Sequence, residues 1–161
     1  MLNMETRDKK FLDRAVELSK RGMQGGKGGP FGCIVVKGDE IVGEGCNQVT
    51  SSNDPTAHAE VVAIRNACEK LGTYQLTECE IYTSCEPCPM CLGAIYWARP
   101  KRVVYANTKE EAAAIEFDDD FIYQEISKDL SQRKIPMIQV LHDQALKVFQ
   151  AWENKTDKIP Y

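Results

Sequence analysis

His58-Ala59-Glu60 and, further along, Pro87-Cys88-Pro89-Met90-Cys91 are the two stretches that decide the fold and the chemistry of this chain. One His and two Cys can bind a zinc ion and leave its fourth position open for water. Three protein ligands with an open position are typical of a catalytic zinc site, whereas a structural site usually has four protein ligands. The pattern therefore predicts a catalytic zinc bound by His58, Cys88 and Cys91, with Glu60 beside it.

Both motifs are predicted at the starts of helices, and this placement explains their chemistry. Cys88 and Cys91 are three residues apart, so they share one helix face. The N–H groups and positive dipole ends of the two helices then favour thiolates and a zinc-bound hydroxide. Positions i and i+2 do not share a face, so Glu60 is expected to miss the metal. It would instead take a proton from the bound water and pass it to the substrate.

Length, composition and charge describe an ordinary globular protein. With 161 residues, 43% hydrophobic and 27% charged, the chain is predicted to form one domain, 1–161. No apolar run could span a membrane, and the charged residues 1–10 are not followed by the apolar run of a signal peptide. Seven scattered cysteines favour reduced thiols and a cytoplasmic location. A net charge of -4 without a basic stripe argues against a nucleic-acid partner and for a small substrate.

Helix and strand signals alternate, which predicts a layered α/β domain with some parallel pairing. The glycine-rich loop 25–32 lacks the Gly-Lys-Ser/Thr of a phosphate loop, so it is expected to allow close packing at a pocket wall. A turn at 37–40 joins two strands into a hairpin. The predicted strands are 32–37, 40–46, 79–84, 101–106 and 137–141, and the predicted helices are about 5–22, 56–71 and 88–98, with further helical segments between and after the last two strands.

The cysteines also allow two other sites. Cys85 lies three residues before Cys88, so Cys85, Cys88, Cys91 and His58 could form the closed zinc site of a non-enzymatic interaction module. Such sites usually consist of two separated ligand pairs, which this spacing lacks. A thioredoxin-like redox pair is disfavoured, because the Cys-x-x-Cys motif comes together with an upstream His-x-Glu.

Seven stretches of the sequence match a known group of zinc enzymes. They are GPFG (29–32), NDPTAHAE (53–60), TSCEPCPMC (83–91), AIYWARP (94–100), FDD (117–119), FIY (121–123) and FQAW (149–152). The two zinc motifs resemble those of the cytidine-deaminase-like zinc deaminases. The whole set resembles the small bacterial guanine deaminases of that superfamily, and it covers nearly the whole chain. The region after residue 110 makes this likeness more specific than one to tRNA adenosine deaminases.

The resemblance implies a fold, an assembly and a reaction. The fold is a three-layer α/β/α arrangement with a five-stranded mixed sheet. The assembly is a homodimer in which the C-terminal segment, about 142–161, is exchanged with the partner subunit. The reaction is hydrolysis of guanine to xanthine and ammonia, in purine catabolism or salvage. One Zn²⁺ per subunit, with a bound water or hydroxide that attacks C2, is implied. Glu60 then moves the proton, and the backbone N–H of Cys88 helps to stabilise the adduct.

The resemblance also implies four residues that contact the base: Asn47, Asp119, Phe31 and Tyr161. Asp119, with Asp118 as the alternative, accepts the ring N–H donors of guanine. Adenine lacks the N1–H and would leave a buried carboxylate unpaired. Asn47 hydrogen-bonds the base, Phe31 packs against the ring, and Tyr161 closes the partner's site. Without the resemblance, these residues read as an acidic turn, a strand-end Asn, a core Phe and a frayed terminus.

Two related activities use the same zinc motifs and stay open at this point. A tRNA adenosine deaminase is opposed by the acidic balance and by the C-terminal region. A cytosine or cytidine deaminase is compatible with the zinc motif alone, and a panel of substrates separates it from a guanine deaminase. No membrane partner is expected.

Overall fold

A computed structural model describes residues 4–161 of the chain. Residues 1–3, the start of the charged stretch that argues against a signal peptide, lie outside the described residues. The chain divides into two compact units, Met1–Asp119 and Asp120–Tyr161. The first contains α1 (Met4–Gln24), β1 (Gly32–Lys37), β2 (Glu40–Cys46), α2 (Val49–Ser52), α3 (Ala59–Leu71), β3 (Cys79–Cys85), α4 (Pro89–Ala98), β4 (Arg102–Asn107) and α5 (Lys109–Ala113). The second contains α6 (Asp120–Ser127), a 3₁₀ turn (Leu130–Gln132) and α7 (His142–Glu153).

The sheet of the first unit is mixed, with strand order β2-β1-β3-β4. β1 and β2 form the predicted hairpin with the predicted bounds, and Lys37 pairs with Glu40 across a turn in which Gly38 has a φ of 61°. Glycine adopts this left-handed conformation without steric cost. β3 is antiparallel to β1 and parallel to β4, so the chain must cross over between β3 and β4. α4 makes that crossover.

Helices cover both faces of this sheet, which gives the α/β/α layering. On one face, Phe11 of α1 packs with Ile34, Val36 and Tyr82. Alternate strand residues point to the opposite face. There they form a larger core with the alanines of α3 and with Ile95 and Ala98 of α4; its members on the sheet include Cys33, Val35, Val42, Cys79 and Ile81. The three-layer α/β/α fold predicted from the resemblance is therefore present.

α1 spans 21 residues and buries a single stripe. Phe11, Ala15, Ser19 and Gly22 are the buried positions, at steps of four, four and three residues, as one helix face requires. The prediction of an amphipathic helix near 5–22 is confirmed. Within residues 4–161, none of the helices combines the length and the apolar composition needed to cross a membrane.

Two glycines of β2 bring α3 very close to the sheet. A Cβ on Gly43 would lie 2.4 Å from the backbone oxygen of Ala63, and one on Gly45 would lie 2.4 Å from the backbone oxygen of Ala59. Neither distance leaves room for a side chain. The first turn of α3, and the site that begins it, are therefore held directly against β2.

α3 begins later than the sequence predicted. The expected start was Thr56, with Pro55 in the first turn, but the helix begins at Ala59. Oδ1 of Asp54 accepts hydrogen bonds from the backbone N–H of Thr56 at 2.8 Å and from its hydroxyl at 2.7 Å. An aspartate that binds the backbone two residues on favours a turn over a helix. This turn moves the N-terminus of α3 to His58.

The fifth predicted strand, 137–141, is absent, and the sheet has four strands. Residues 137–141 form no strand pairing, and the described part of Asp120–Tyr161 contains helices and a 3₁₀ turn only. A strand exists through its hydrogen-bonded neighbours. The apolar run at 137–141 has none within its own unit, and its Ile138 side chain is 83% exposed. The prediction of a five-stranded sheet is therefore wrong for this chain.

Candidate active site

His58 and Cys88 occupy equivalent positions, as the residues that cap the N-termini of α3 and α4. Both have extended backbone, with φ and ψ of -70° and 154° at His58 and -64° and 167° at Cys88. Pro89 follows at the first helical position, where a missing N–H is tolerated and the fixed φ is already helical. Because both helices begin here, the positive ends of their dipoles favour anionic ligands at this point.

The three predicted zinc ligands lie together. Nδ1 of His58 is 3.5 Å from Sγ of Cys88 and 3.5 Å from Sγ of Cys91. The three ligand atoms lie within 4.8 Å of one another. Tetrahedral zinc, with Zn–N near 2.05 Å and Zn–S near 2.3 Å, separates its N and S ligands by roughly 3.6 Å. The donor set therefore fits zinc, and Nδ1 is the nitrogen through which His58 would bind it, a detail that the sequence did not specify.

The two thiols have opposite protonation preferences. Hydrogen bonding to Cys91 and to His58 lowers the pKa of Cys88, and hydrogen bonding to Cys88 together with burial raises the pKa of Cys91. Zinc binds cysteine as the thiolate, so these directions make Cys88 the more readily ionised of the two predicted ligands.

Glu60 lies beside the ligands without joining them. It occupies the first turn of α3 and is only 6% exposed. Burial raises the pKa of its carboxyl group. Oε2 accepts a hydrogen bond from Sγ of Cys91 at 3.4 Å, and Oε1 accepts one from Oγ1 of Thr83 at 3.3 Å. A buried carboxyl group with a raised pKa is suited to taking up a proton and giving it back.

Cys85 does not belong to the metal site. Its thiol donates to the backbone oxygen of Thr108 at 3.5 Å, and burial raises its pKa to about 11. Among the described residues, the group with ligand atoms close enough to share an ion consists of His58, Cys88 and Cys91. The closed four-ligand alternative is therefore not formed, and a zinc held by these three residues would keep one coordination position open, as in catalytic zinc sites.

Asn47 is buried just after β2 and holds the glycine-rich loop. Its Oδ1 accepts hydrogen bonds from the N–H of Gly29 at 3.3 Å and of Val49 at 3.1 Å. A Cβ on Gly28 would lie 2.2 Å from the same oxygen. Glycine at this position therefore allows the loop to approach the asparagine, which supports the predicted packing role of the loop.

Phe31 follows that loop and meets a second aromatic ring, Phe117. Their ring centroids are 4.9 Å apart and the planes cross at 87°, an edge-to-face contact. A Cβ on Gly29 would lie 2.8 Å from Cζ of Phe117. The loop therefore contacts both predicted base-binding residues, Asn47 and Phe31, and the segment that leads to Asp119.

The structure distinguishes the two candidate aspartates. Asp119 is partly buried, and burial followed by the neighbouring charge of Cys88 raises the pKa of its carboxyl group. The charge of Asp119 in turn raises the pKa of His58, although less than hydrogen bonding to Cys88 does. Asp118 is exposed. Its partial burial and its electrostatic interaction with His58 and Cys88 support the predicted role of Asp119. Tyr161 is 70% exposed and lies in the second unit, so its role in a partner's site stays a prediction.

Two residues at the site had no predicted role. Phe117 was part of a stretch that carries the resemblance, but nothing in its sequence position indicated the contact with Phe31. Thr83 could have been noticed, because strand alternation places it on the same sheet face as Cys79 and Ile81. A polar residue at a core-facing position is a signal that it has a specific partner.

The fold and the site together define a class of protein. Residues 5–107 match the family described as the cytidine and deoxycytidylate deaminase zinc-binding region. This range contains His58, Glu60, Cys88, Cys91 and all four strands. The chain therefore belongs to this family of zinc deaminases.

Within the family, the likeness to guanine deaminases extends over the whole chain. The guanine deaminase of Bacillus subtilis strain 168 is 58% identical over 160 residues, which cover 99% of this chain and 100% of that protein. A crystal structure of Bacillus subtilis guanine deaminase superposes with a TM-score of 0.93 at 57% identity, covering 99% of each chain. The resemblance to bacterial guanine deaminases and the cytidine-deaminase-like fold are both confirmed.

More distant relatives match less of the chain. A structure of guanine deaminase from Nitrosomonas europaea has a TM-score of 0.65 at 33% identity, covering 68% of this chain and 63% of that one. The tRNA-specific adenosine deaminase of Aquifex aeolicus is 42% identical over 96 residues, 60% of this chain and 63% of that protein.

Proposed function

We propose that this chain is a zinc-dependent guanine deaminase, which hydrolyses guanine to xanthine and ammonia. The observation that carries this proposal is the 58% identity to Bacillus subtilis guanine deaminase over 99% of the chain, including the region after residue 107 where the family match ends. That region contains Phe117 and Asp119. The seven cysteines are free thiols, which supports a reducing compartment such as the cytoplasm as its location.

His58, Cys88 and Cys91 would hold one zinc ion per subunit. Their donor atoms and spacing fit tetrahedral zinc with one open position, as described above. Zinc bound there acts as a Lewis acid and lowers the pKa of a coordinated water toward neutrality. Two thiolate ligands would neutralise the charge of the divalent ion. The positive ends of the α3 and α4 dipoles would also favour these anionic ligands.

Glu60 is the group that moves protons. It takes a proton from the attacking water and delivers it to a ring nitrogen of guanine, and it then assists the amino group to leave as ammonia. Negative charge develops on the oxygen added at C2. The N–H of Cys88 lies at the start of α4, where N–H groups lack partners within the helix, so it can donate to that oxygen.

Asp119, Asn47 and Phe31 would recognise the base. The carboxylate of Asp119 accepts the N1–H of guanine, Nδ2 of Asn47 donates to a base acceptor, and the ring of Phe31 packs on the purine. Adenine has no N1–H, and a buried carboxylate left without its donor costs about 1–3 kcal/mol. Selection of guanine over adenine therefore rests on a missing hydrogen bond rather than on size.

A homodimer with exchanged C-terminal segments, about 142–161, fits the second unit. None of the described residues 120–161 is buried in the single chain. A segment of this size with no interior of its own is stable only when its apolar side chains pack against other protein. The exposed ones include Ile135, Met137, Ile138, Val140, Leu141, Phe149, Trp152 and Ile159. Exchange would place Tyr161 over the partner's active site.

The substrate assignment is tested by ammonia release from zinc-loaded protein given guanine, adenine, guanosine or cytosine. Release from guanine alone is the expected result. Release from cytosine or adenine instead would be consistent with zinc-dependent deamination but would show that guanine is not the substrate. Release from none of them, combined with deamination of tRNA, would favour the tRNA adenosine deaminase alternative. Asp119→Ala should lose discrimination against other bases, and Asp118→Ala is the matched control that should not.

The exchange is tested by mixing two inactive variants. One subunit carries Glu60→Gln and an intact tail, and the other lacks 159–161 but has an intact site. If tails are exchanged, mixed dimers regain activity because the first subunit supplies Tyr161 to the second. If each tail closes its own subunit, the mixture stays inactive, although size-exclusion chromatography shows mixed dimers.

A further inference from the structure

We propose that Thr83 is a positioning residue for Glu60: its hydroxyl holds Oε1 of the carboxylate, so that Oε2 faces the attacking water. The contact that supports this is the 3.3 Å hydrogen bond from Oγ1 of Thr83 to Oε1 of Glu60. The inference rests on the proposed function, because it assigns a partner to the residue that moves protons in that reaction.

Thr83 stands at a position where an apolar residue would normally be found. Cys79 and Ile81 occupy the same face of β3 and belong to the apolar core. Thr83 pairs in register with buried Cys33 on β1 and is itself only 1% exposed. A hydroxyl in such a dry position costs free energy unless it has a partner. The carboxylate of Glu60 accepts a hydrogen bond from this hydroxyl, which explains a polar residue here.

The two oxygens of Glu60 are held by donors of different kinds. Oε1 meets the Thr83 hydroxyl, and Oε2 meets the thiol of Cys91 at 3.4 Å. Cys91 is also a predicted zinc ligand, whereas the hydroxyl of Thr83 is not, so the contact with Oε1 does not depend on the metal. Thr83 thereby keeps the carboxylate from turning and leaves Oε2 to accept a proton.

The final torsion of a glutamate is soft, so a carboxylate without a fixed donor samples many orientations. Small losses of alignment reduce the chemical step far more than they reduce substrate binding. Thr83 contacts neither the predicted zinc ligands nor the predicted base-binding residues through its hydroxyl. Its loss should therefore lower kcat and leave KM and the bound zinc unchanged.

Thr83→Val tests the proposal, because valine has nearly the same shape and also favours a strand. We expect kcat to fall about tenfold to a hundredfold, a part of the roughly 10²–10⁴-fold contribution of a positioned proton carrier. KM should change less than about twofold, since no base contact is removed. Zinc content should match that of the unaltered protein. Thr83→Ser keeps the hydroxyl and should recover most of kcat.

Ser84→Ala is the matched control on the neighbouring residue. Oγ of Ser84 accepts the backbone N–H of Gly32 at 3.0 Å and does not contact Glu60. This variant should alter stability and leave kcat unchanged. A crystal structure of Thr83→Val should show the Glu60 carboxylate in more than one orientation above an unmoved β3.

Three results would overturn the proposal: unchanged kcat in Thr83→Val, equal losses of kcat in Thr83→Val and Thr83→Ser, or loss of zinc in Thr83→Val. The first removes the role of the hydroxyl, and the other two make Thr83 a structural residue only. Failure of the proposed function is recognised separately, because the unaltered protein would then release no ammonia from guanine. In that case the valine and serine variants are compared with the nucleobase that the protein does deaminate as the substrate.

Discussion

The two faces of β3 carry polar clusters of opposite character. On the face toward α1, Arg7 donates to Glu80 at 2.6 Å, and the hydroxyl of Tyr82 donates to Glu80 at 2.7 Å. Arg102 donates to Asp8 at 2.6 Å. Burial raises the pKa of the Glu80 carboxyl, but hydrogen bonds from Arg7, Tyr82 and Arg102 outweigh it and lower that pKa to about 2. Every charge of this cluster has an opposite charge beside it.

On the opposite face, toward α3 and α4, Glu60 is bonded by a thiol and a hydroxyl at 3.4 and 3.3 Å instead of by guanidinium groups. Burial raises its pKa, and the pKa values of the nearby Cys88 and Cys91 are shifted in opposite directions. We call the first face saturated, because its charges are paired with one another; this pairing contributes stability but leaves no uncompensated charge for binding a ligand. We call the second face unsaturated, because its donors are weaker and its groups remain able to bind a metal, a water and a substrate.

The largest expected effect is on the unsaturated face. Cys91→Ser removes a ligand, so zinc should be lost and turnover should fall by more than the roughly 10²–10⁴-fold due to a proton carrier alone. Metal content and ammonia release measure both losses. Cys68→Ser, which changes a thiol outside the site, should keep zinc and activity. Full zinc occupancy in Cys91→Ser would show that the ligand set is wrong.

Glu60→Gln should lower kcat by roughly 10²–10⁴-fold while zinc stays bound. Stability to urea should not fall, because a buried neutral amide costs less than a buried carboxylate. Normal turnover in this variant would remove the proton-carrying role of Glu60.

Glu80→Gln is the same substitution on the saturated face and should give the opposite result. Arg7 and Arg102 lose their charged acceptor, so the free energy of unfolding should fall by about 1–3 kcal/mol. The kcat should be unchanged. If urea unfolding shows no loss, the pairing on this face contributes no stability, and the contrast between the two faces is not an energetic one.

The saturated face should also make the protein sensitive to acid. Hydrogen bonding to Arg102 lowers the pKa of Asp8, and that of Glu80 is about 2. Groups with a lowered pKa in the folded state stabilise it above their ordinary pKa, and that stability is lost as the pH falls through the folded value. The free energy of unfolding should therefore decline from about pH 4.5 toward pH 2. The difference from Glu80→Gln should shrink over the same range; a constant difference would contradict the assignment.

The smallest effect concerns the loop that packs at the site. Gly29→Ala places a Cβ 2.8 Å from the ring of Phe117, so the ring must move. We expect KM for guanine to rise about threefold to tenfold, the equivalent of roughly 1 kcal/mol, with zinc retained. Gly93→Ala in α4, where a Cβ meets nothing within 4 Å, is the control and should leave KM unchanged. Equal KM values in both variants would show that Phe117 does not shape the site.

Helices and strands were predicted correctly where residues close in sequence are sufficient to specify them. The hairpin 32–46 has the predicted strand bounds, because two short strand-forming runs on either side of a turn at Gly38 are sufficient to specify it. The start of α3 was misplaced, because the side chain of Asp54 competes with the helix for the backbone of Thr56. The run 137–141 has the composition of a strand but no partner in its unit.

The sequence by itself predicted the metal ligands and the proton carrier. The spacing of His58, Glu60, Cys88 and Cys91 already specifies which side chains share a face and which does not, because helix geometry is local. Only the tertiary structure decided the burial of Asp119 relative to Asp118, the contact of Thr83 with Glu60, and the number of strands. Each of these depends on which distant segment packs against a residue, and burial and pairing between distant segments are not encoded in the order of neighbours.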